Sequence, residues 1–144
     1  MKALIETTPL YTTQGGVARY VRGLLHGLQA VCGPGDLAWR ELGWPVKNFG
    51  YRQPARALRT LVREGWWANF PAARAARGAD LMHHTALPII PFVRGPRHVV
   101  TLHDLALLRH PERYRPWQRA AGLRRLRRVA AADRVIAVSR FTAD

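Results

Sequence analysis

The sequence predicts an α/β domain: a parallel sheet with helices on both faces. Two observations predict it. Short apolar, β-branched runs alternate with longer runs of helical period along 144 residues, the length of one ordinary domain. Polar residues of chemical use gather just after the ends of the apolar runs. In an open parallel sheet those ends lie on one edge, where ligands bind.

The first run, Ala3-Leu4-Ile5, is a short buried strand. Thr7 to Gln14, polar and carrying Pro9, reads as a loop. Gly15-Gly16 then open a helix. Val17, Val21, Leu24, Leu28 and Val31 recur along it at three- and four-residue steps, and Gly33-Pro34-Gly35 stops it. Leu37 to Leu42 is a second strand. Gly43 to Asn69, with Trp44, Phe49, Tyr51, Trp66 and Trp67 among Arg, Gly and Pro, is the least legible stretch. Within and beyond it, Pro54 to Glu64 reads as a helix. Trp66 to Arg77 reads as another, which Pro71 starts or breaks. The tryptophan pair suits either a core or a membrane interface.

The second half is clearer. Asp80 to His84 is a strand running into a loop that Pro88, Pro91 and Pro96 punctuate. His98 to Leu102 is a strongly apolar strand with His103-Asp104 directly after it. Trp117 to Ala132 is a helix. Leu123, Leu126, Val129 and Ala130 share one side of it, and Arg124, Arg125 and Arg128 the other. Asp133 to Val138 is a further buried strand ending at Ser139-Arg140.

A hydrophobic fraction of 48% makes the chain globular. Its 23 basic and 9 acidic residues give a net charge of +14. That excludes an acidic mimic and allows nucleic acid, an anionic membrane surface or phosphorylated ligands as partners. Only Lys2 and Lys47 are lysines, so a bias toward arginine on a solvated surface accounts for the charge equally well. One cysteine, Cys32, excludes a disulfide scaffold and a cysteine-based zinc site, and fits a reducing, cytoplasmic compartment. Met1 to Glu6 reaches an acid too soon for a signal peptide. No apolar run approaches the ~18 residues of a spanning helix.

Candidate site residues follow from these positions. Gly15-Gly16 sit at a helix N-terminus, where unpaired N–H groups and a partial positive charge suit a phosphate; an ordinary tight turn needing positive φ is the plainer reading. His103 ends the most apolar strand, where an imidazole can donate to an oxygen gaining charge or shuttle a proton. His83-His84 point to opposite faces of a strand, so they do not make a metal pair; one packs inward and the other faces the cleft. Ser139 lies in no Gly-x-Ser-x-Gly elbow and reads as a cap for a helix from Thr142 onward. Tyr11, His84, Asp104, Ser139 and Arg140 complete the expected cleft lining, and neither metal nor cofactor is expected. The arginine face of the helix from Trp117 supports a second reading: a non-catalytic basic module binding nucleic acid or anionic lipid. No helix-turn-helix, zinc-finger or RNA-binding signature accompanies it, which counts against nucleic acid.

Taken together these motifs resemble the N-terminal domain of family 4 retaining glycosyltransferases. The likeness begins at Leu10-Tyr11-Thr12-Thr13-Gln14-Gly15-Gly16-Val17-Ala18-Arg19-Tyr20. It continues in the same order through Asp80 to His84, Val99 to Asp104, Leu108 to Glu112 and Ala132 to Ser139. The resemblance implies a GT-B architecture, two Rossmann-like domains facing across a cleft. The N-terminal one holds a glycan or lipid-linked acceptor, and the other binds the UDP- or GDP-sugar donor. It also implies that Gly15 and Gly16 approach the donor pyrophosphate, that His103 lies at the transferred sugar, and that Asp104 orients its loop. Because the sequence stops at Asp144, the expectation is an acceptor-side fragment without its donor domain, inactive by itself, cytoplasmic, with peripheral contact at an anionic membrane allowed by the charge.

Overall fold

The computed structural model describes residues 1–33, 37–47 and 53–143. Among them, β1 (Lys2–Glu6), β2 (Ala38–Leu42), β3 (Leu81–His84), β4 (Arg97–Leu102) and β5 (Arg134–Ala137) form one sheet in the order β2-β1-β3-β4-β5. Every pairing is parallel. The chain runs outward from β1 to β2, crosses back to β3, and continues outward to β4 and β5. The strand order therefore reverses between β1 and β3, and connections leaving their carboxyl ends diverge there.

Helices α1 (Pro9–Thr12) and α2 (Gly16–Val31) connect β1 to β2. Tyr20 of α2 bonds Thr101 of β4, which places α2 over that face of the sheet. The connection from β2 to β3 is one continuous helical run: α3 (Gln53–Leu61), a π-helical segment (Val62–Ala72) and α4 (Ala73–Ala76). Trp67, Ala68, Ala72 and Ala76 of that run pack with Met82 and Ile90 against the opposite face, joined by Leu4, Leu42 and Trp44. The result is a Rossmann-like three-layer domain. After β4 come α5 (Ala106–Arg109), a 3₁₀ turn (Pro111–Arg113) and α6 (Pro116–Val129); α7 (Arg140–Ala143) follows β5.

The structure departs from the sequence reading in several elements. The segment read as a loop from Thr7 contains α1, because Pro9 presets the first helical turn and lacks only an N–H that no helix start uses. The two helices expected around Glu64 and Trp66 are one run, with Pro71 inside its π-helical part. The Asn69 side-chain amide donates to the carbonyls of Glu64 (2.7 Å) and Gly65 (2.9 Å), which the wider winding leaves within its reach. Trp67 is core, 5.7 Å from Trp44, whereas Trp66 is 56% exposed. Pro34, Gly35, Phe49 and Tyr51 lie outside the described residues.

Two corrections bear on function. β5 is not buried: Val135 and Ile136 are exposed, because it pairs only with β4 and forms the sheet edge among the described residues. The polarity read for the helix from Trp117 is wrong in part. Leu126 and Val129 are half-buried and Arg124 exposed as expected, but Leu123 and Ala130 are exposed, while Arg125 and Arg128 turn inward. Arg128 donates to the carbonyls of Pro88 (3.3 Å) and Ile89 (3.1 Å), and Arg125 reaches Glu64. Long arginine stems cover apolar surface while their heads find buried acceptors, so the helix buries part of its charged side.

The ends of β1 and β2 lock together under the carboxyl edge. Thr7 N–H donates to the Leu42 carbonyl (3.0 Å) and Trp44 N–H to the Thr8 hydroxyl (3.3 Å). Gly43 between them has no room for a side chain. An added Cβ would lie 2.5 Å from Thr7 Oγ1 and 3.2 Å from the Thr7 carbonyl carbon. Gly43→Ala is therefore expected to destabilise the fold by about 1–3 kcal/mol. Urea denaturation measures this, and an unchanged midpoint would show that the junction gives freely.

Candidate functional site

Two adjoining cavities, about 260 and 340 Å3, open on the carboxyl edge of the sheet and share Thr12, Arg63, Leu87, Asp104 and Arg125. Three strand ends build the smaller one: Glu6 and Thr8 from β1, Ala86 and Leu87 after β3, and Leu102, His103 and Asp104 from β4. The switch point between β1 and β3 falls within it. The larger cavity runs on between the β2–β3 helical run and α6, past Thr60, Glu64, Tyr114 and Gln118.

His103 lies on the wall, half-buried. Its Nε2 is 2.8 Å from the Thr85 carbonyl, which only accepts, so Nε2 carries the proton and donates. The neutral ring then keeps Nδ1 as an acceptor, and it donates toward a ligand only as the imidazolium. Tyr20 meets the ring edge-on at 4.9 Å. Asp104 accepts the Ala106 N–H on Oδ1 (2.9 Å), which fixes the turn leading from β4 into α5.

Gly15 is the N-cap of α2 in extended backbone (φ −82°, ψ −158°), and no side chain caps this helix end. The positive-φ turn considered for the glycine pair is absent; among described glycines only Gly95 has positive φ. An added Cβ on Gly16 meets nothing, and one on Gly15 comes only to 3.6 Å from Thr13 Oγ1. Neither conformation nor packing requires a glycine here. Both residues are exposed, and the next residue, Val17, lines the smaller cavity.

Other expected residues are placed differently. His84 is not on the cleft wall. Its side chain is wholly buried behind Glu6, with Nδ1 3.3 Å from Glu6 Oε2 and Nε2 3.1 Å from His98 Nδ1. Phe92 stacks on His98 at 4.2 Å and covers this pair. The alternation of β3 turns His84 to the face that the π-helical segment covers. Tyr11 is half-buried on α1 and borders neither cavity. The Ser139 hydroxyl accepts the Thr142 N–H (3.3 Å) and caps α7, and Arg140 opens that helix on the exposed surface. Neither reaches a cavity. No three metal-ligating side chains converge among the described residues.

Sequence reasoning missed Glu6, Arg63 and Arg125, whereas Thr8 and Thr12 fall in the polar segment after the first strand that it places on this edge. The strand-end rule that found His103 also reaches Glu6, one residue past the predicted end of β1. Nothing in the aromatic stretch signals Arg63. That side chain is only 10% exposed, its terminal nitrogen donates to Glu64 (2.8 Å), and its Nε has no partner among the described residues. Such an orphaned donor costs about 1–3 kcal/mol. Burial disfavours the charged form of Glu64, but Arg125 and Arg63 outweigh it and hold the carboxyl below its usual range.

The family model of glycosyltransferase family 4 matches residues 14–144. The chain belongs to glycosyltransferase family 4. None of the curated proteins matches it, and neither does any solved structure. A family 4 domain carries a glycosyltransferase-type function and works on sugar donor and acceptor substrates. In this family 4 chain no helix among the described residues is long and apolar enough to cross a membrane.

A buried histidine supports the site from below. His83 Nε2 lies 2.9 Å from Thr101 Oγ1, which is 3.0 Å from the Tyr20 hydroxyl beside His103. Burial, reinforced by His84, lowers the His83 pKa to about 4. The unfolded chain therefore binds more protons than the folded one between about pH 4 and the ordinary value of 6.5. Stability is expected to fall as pH drops from 6.5 to 4, by on the order of 3 kcal/mol from this group. His83→Gln should flatten that slope in thermal melts across the range. A wild-type melting temperature constant down to pH 4 would contradict it.

Proposed function

We propose that this chain is the acceptor-side domain of a retaining glycosyltransferase, moving a sugar from a UDP- or GDP-sugar to a glycan or lipid-linked acceptor. The acceptor occupies the cleft at the carboxyl edge. A second Rossmann-like domain facing it holds the nucleotide, so this chain alone binds UDP or GDP at best in the millimolar range and does not turn over. The observation that carries the reading is the start of α2. Its end is uncapped, and it has two glycines that the fold does not need, next to a residue of the cavity wall. Open N–H groups there suit a pyrophosphate whose charge grows as the anomeric carbon leaves it.

His103 is assigned to the transferred sugar. With Nε2 held by Thr85, neutral Nδ1 accepts a sugar hydroxyl, and the imidazolium donates to the departing oxygen. Such a contact acts on the transition state more than on ground-state binding. His103→Ala, in the enzyme assembled from this chain and its donor-side domain, is expected to lower kcat roughly 10²-fold with donor KM little changed. Gly15→Ala should fold normally and lose activity. A kcat within a few-fold of wild type for His103→Ala would make that residue structural only.

The competing reading, a basic module acting through the arginine side of α6, is weakened because Arg125 and Arg128 are engaged inside the domain. Peripheral membrane contact has better support elsewhere. Leu58, Leu61, Val62, Trp66 and Phe70 are exposed along one side of the β2–β3 helical run, whose other side lines the cleft. Apolar residues of this kind insert at a lipid interface, with arginines reading anionic headgroups. The chain is expected to float with anionic vesicles at low salt, and Trp66→Ser/Phe70→Ser to release it without a change in charge. Equal retention by neutral and anionic vesicles would remove the membrane from this reading.

A further inference from the structure

Glu6 ends β1 on the wall of the smaller cavity, and the transfer reaction above makes no use of its carboxylate. The register puts it level with His84 and Val100, and His103 comes three residues after Val100, so Glu6 lies deeper along the strand direction. Thr85 ties the two wall residues together. Its hydroxyl donates to the Glu6 carbonyl (2.7 Å), and its own carbonyl accepts from His103 Nε2 (2.8 Å). Thr85 is wholly buried.

The Glu6 side chain is only 4% exposed, and its Oε2 lies 3.3 Å from His84 Nδ1. With both rings behind it neutral, the hydrogen bonds run one way. Val93 N–H donates to His98 Nε2 (3.2 Å), His98 Nδ1 to His84 Nε2 (3.1 Å), and His84 Nδ1 to Glu6. That chain delivers one donor, to Oε2. Oε1 has no partner among the described residues. It is not sealed off either, because Arg63 Nε is the one sealed side-chain atom without a partner among them. A carboxylate otherwise out of water, with one oxygen unpaired, gains from any O–H that reaches it. Around this cavity Glu6 and Asp104 balance Arg63 and Arg125, so its charged side chains sum to nothing that would draw in an ion.

We propose that Glu6 is a specificity residue of the acceptor site, its Oε1 accepting a hydroxyl hydrogen from a neutral polyhydroxyl group, a sugar ring, seated in the smaller cavity. This rests on the acceptor-side reading above and narrows it to an acceptor whose sugar, and not a charged or apolar part, enters the sheet edge. A ring anchored by one hydroxyl on Glu6 leaves its others free for the transfer at His103.

Nuclear magnetic resonance titration of the chain with glucose, mannose and galactose tests this without turnover and reads weak binding. At least one of these sugars is expected to shift the Glu6 side-chain carboxyl carbon saturably, together with the amides of Thr8 and Leu87 on the same wall. Glu6→Gln keeps the shape, and its amide oxygen can still take the His84 proton. An NH2 donor then stands where the cavity had an acceptor, so binding should weaken about tenfold or more. If that variant fails to fold, the carboxyl shift in the wild type decides alone. Glu41→Gln, exposed on β2, should change nothing; losses equal to those of Glu6→Gln would reduce the effect to overall charge and overturn the proposal. Tighter binding of the matching hexosamine would show the carboxylate reading a cation, which overturns the neutral class. A sugar that moves the wall amides and leaves the Glu6 carboxyl in place overturns the proposal and spares the acceptor-side reading. Wall amides that no sugar moves would overturn both.

Discussion

One buried hydroxyl, that of Thr101, ties helix α2 to the middle of the sheet. It lies between the Tyr20 hydroxyl at 3.0 Å and His83 Nε2 at 2.9 Å, and it is wholly out of solvent. A hydroxyl gives one proton and accepts two, so Thr101 can serve Tyr20 and a neutral His83 at once in either direction of donation. A protonated His83 can only donate, and Thr101 then accepts from it. Tyr20 in turn sets its ring edge against His103. The residue on the cleft wall is thus linked through two side chains to a buried base.

On the other face a second polar chain holds the cleft floor. Glu6, His84 and His98 follow one another at hydrogen-bond distances and end at the Val93 backbone, where His98 Nε2 stands 3.1 Å from the carbonyl. Burial lowers the His98 pKa, with His84 adding to this against the Val93 carbonyl and Asp133. These imidazoles fasten β1, β3 and β4 to the Pro-rich loop that closes that face. Buried polar networks of this sort specify one arrangement of a core, because any other leaves groups unpaired.

Much of this was legible in the sequence, and what was not has physical causes. The strands at Ala3, Asp80 and His98 could be read because a parallel strand covered on both faces is a short apolar run, whereas the one at Leu37 carries the exposed Arg40 and Glu41 at the end of the sheet order. Helix α2 could be read because its period is regular, and the cleft because polar residues after parallel strands must share an edge. The β2–β3 helical run was split in two because π-winding displaces the helical period and depends on what the segment packs against. Arg63, the most buried of its kind, was invisible for that reason. Two arginines of α6 were put on the wrong side because arginine stems cover apolar surface as well as leucines do, so Arg125 and Arg128 share the half-buried side with Leu126 and Val129. His84 was misplaced because alternation says that neighbours diverge without saying which of them meets solvent. β5 has the composition of a central strand and the position of an edge, and only the sheet order decides between them.

That last mismatch has a colloidal consequence. Among the described residues the outer side of β5 pairs with no strand, and Val135, Ile136 and Val138 along it are each between 43 and 47% exposed. An edge of that kind is a template for strand addition by another copy. Arg134 at its start and Arg140 just beyond its end are both exposed, and their like charges repel an approaching copy. The protection is electrostatic and reaches no further than the Debye length. Solutions of this domain should stay clear in dilute buffer and cloud as ionic strength rises, the reverse of ordinary salting-in, because screening removes what guards the edge.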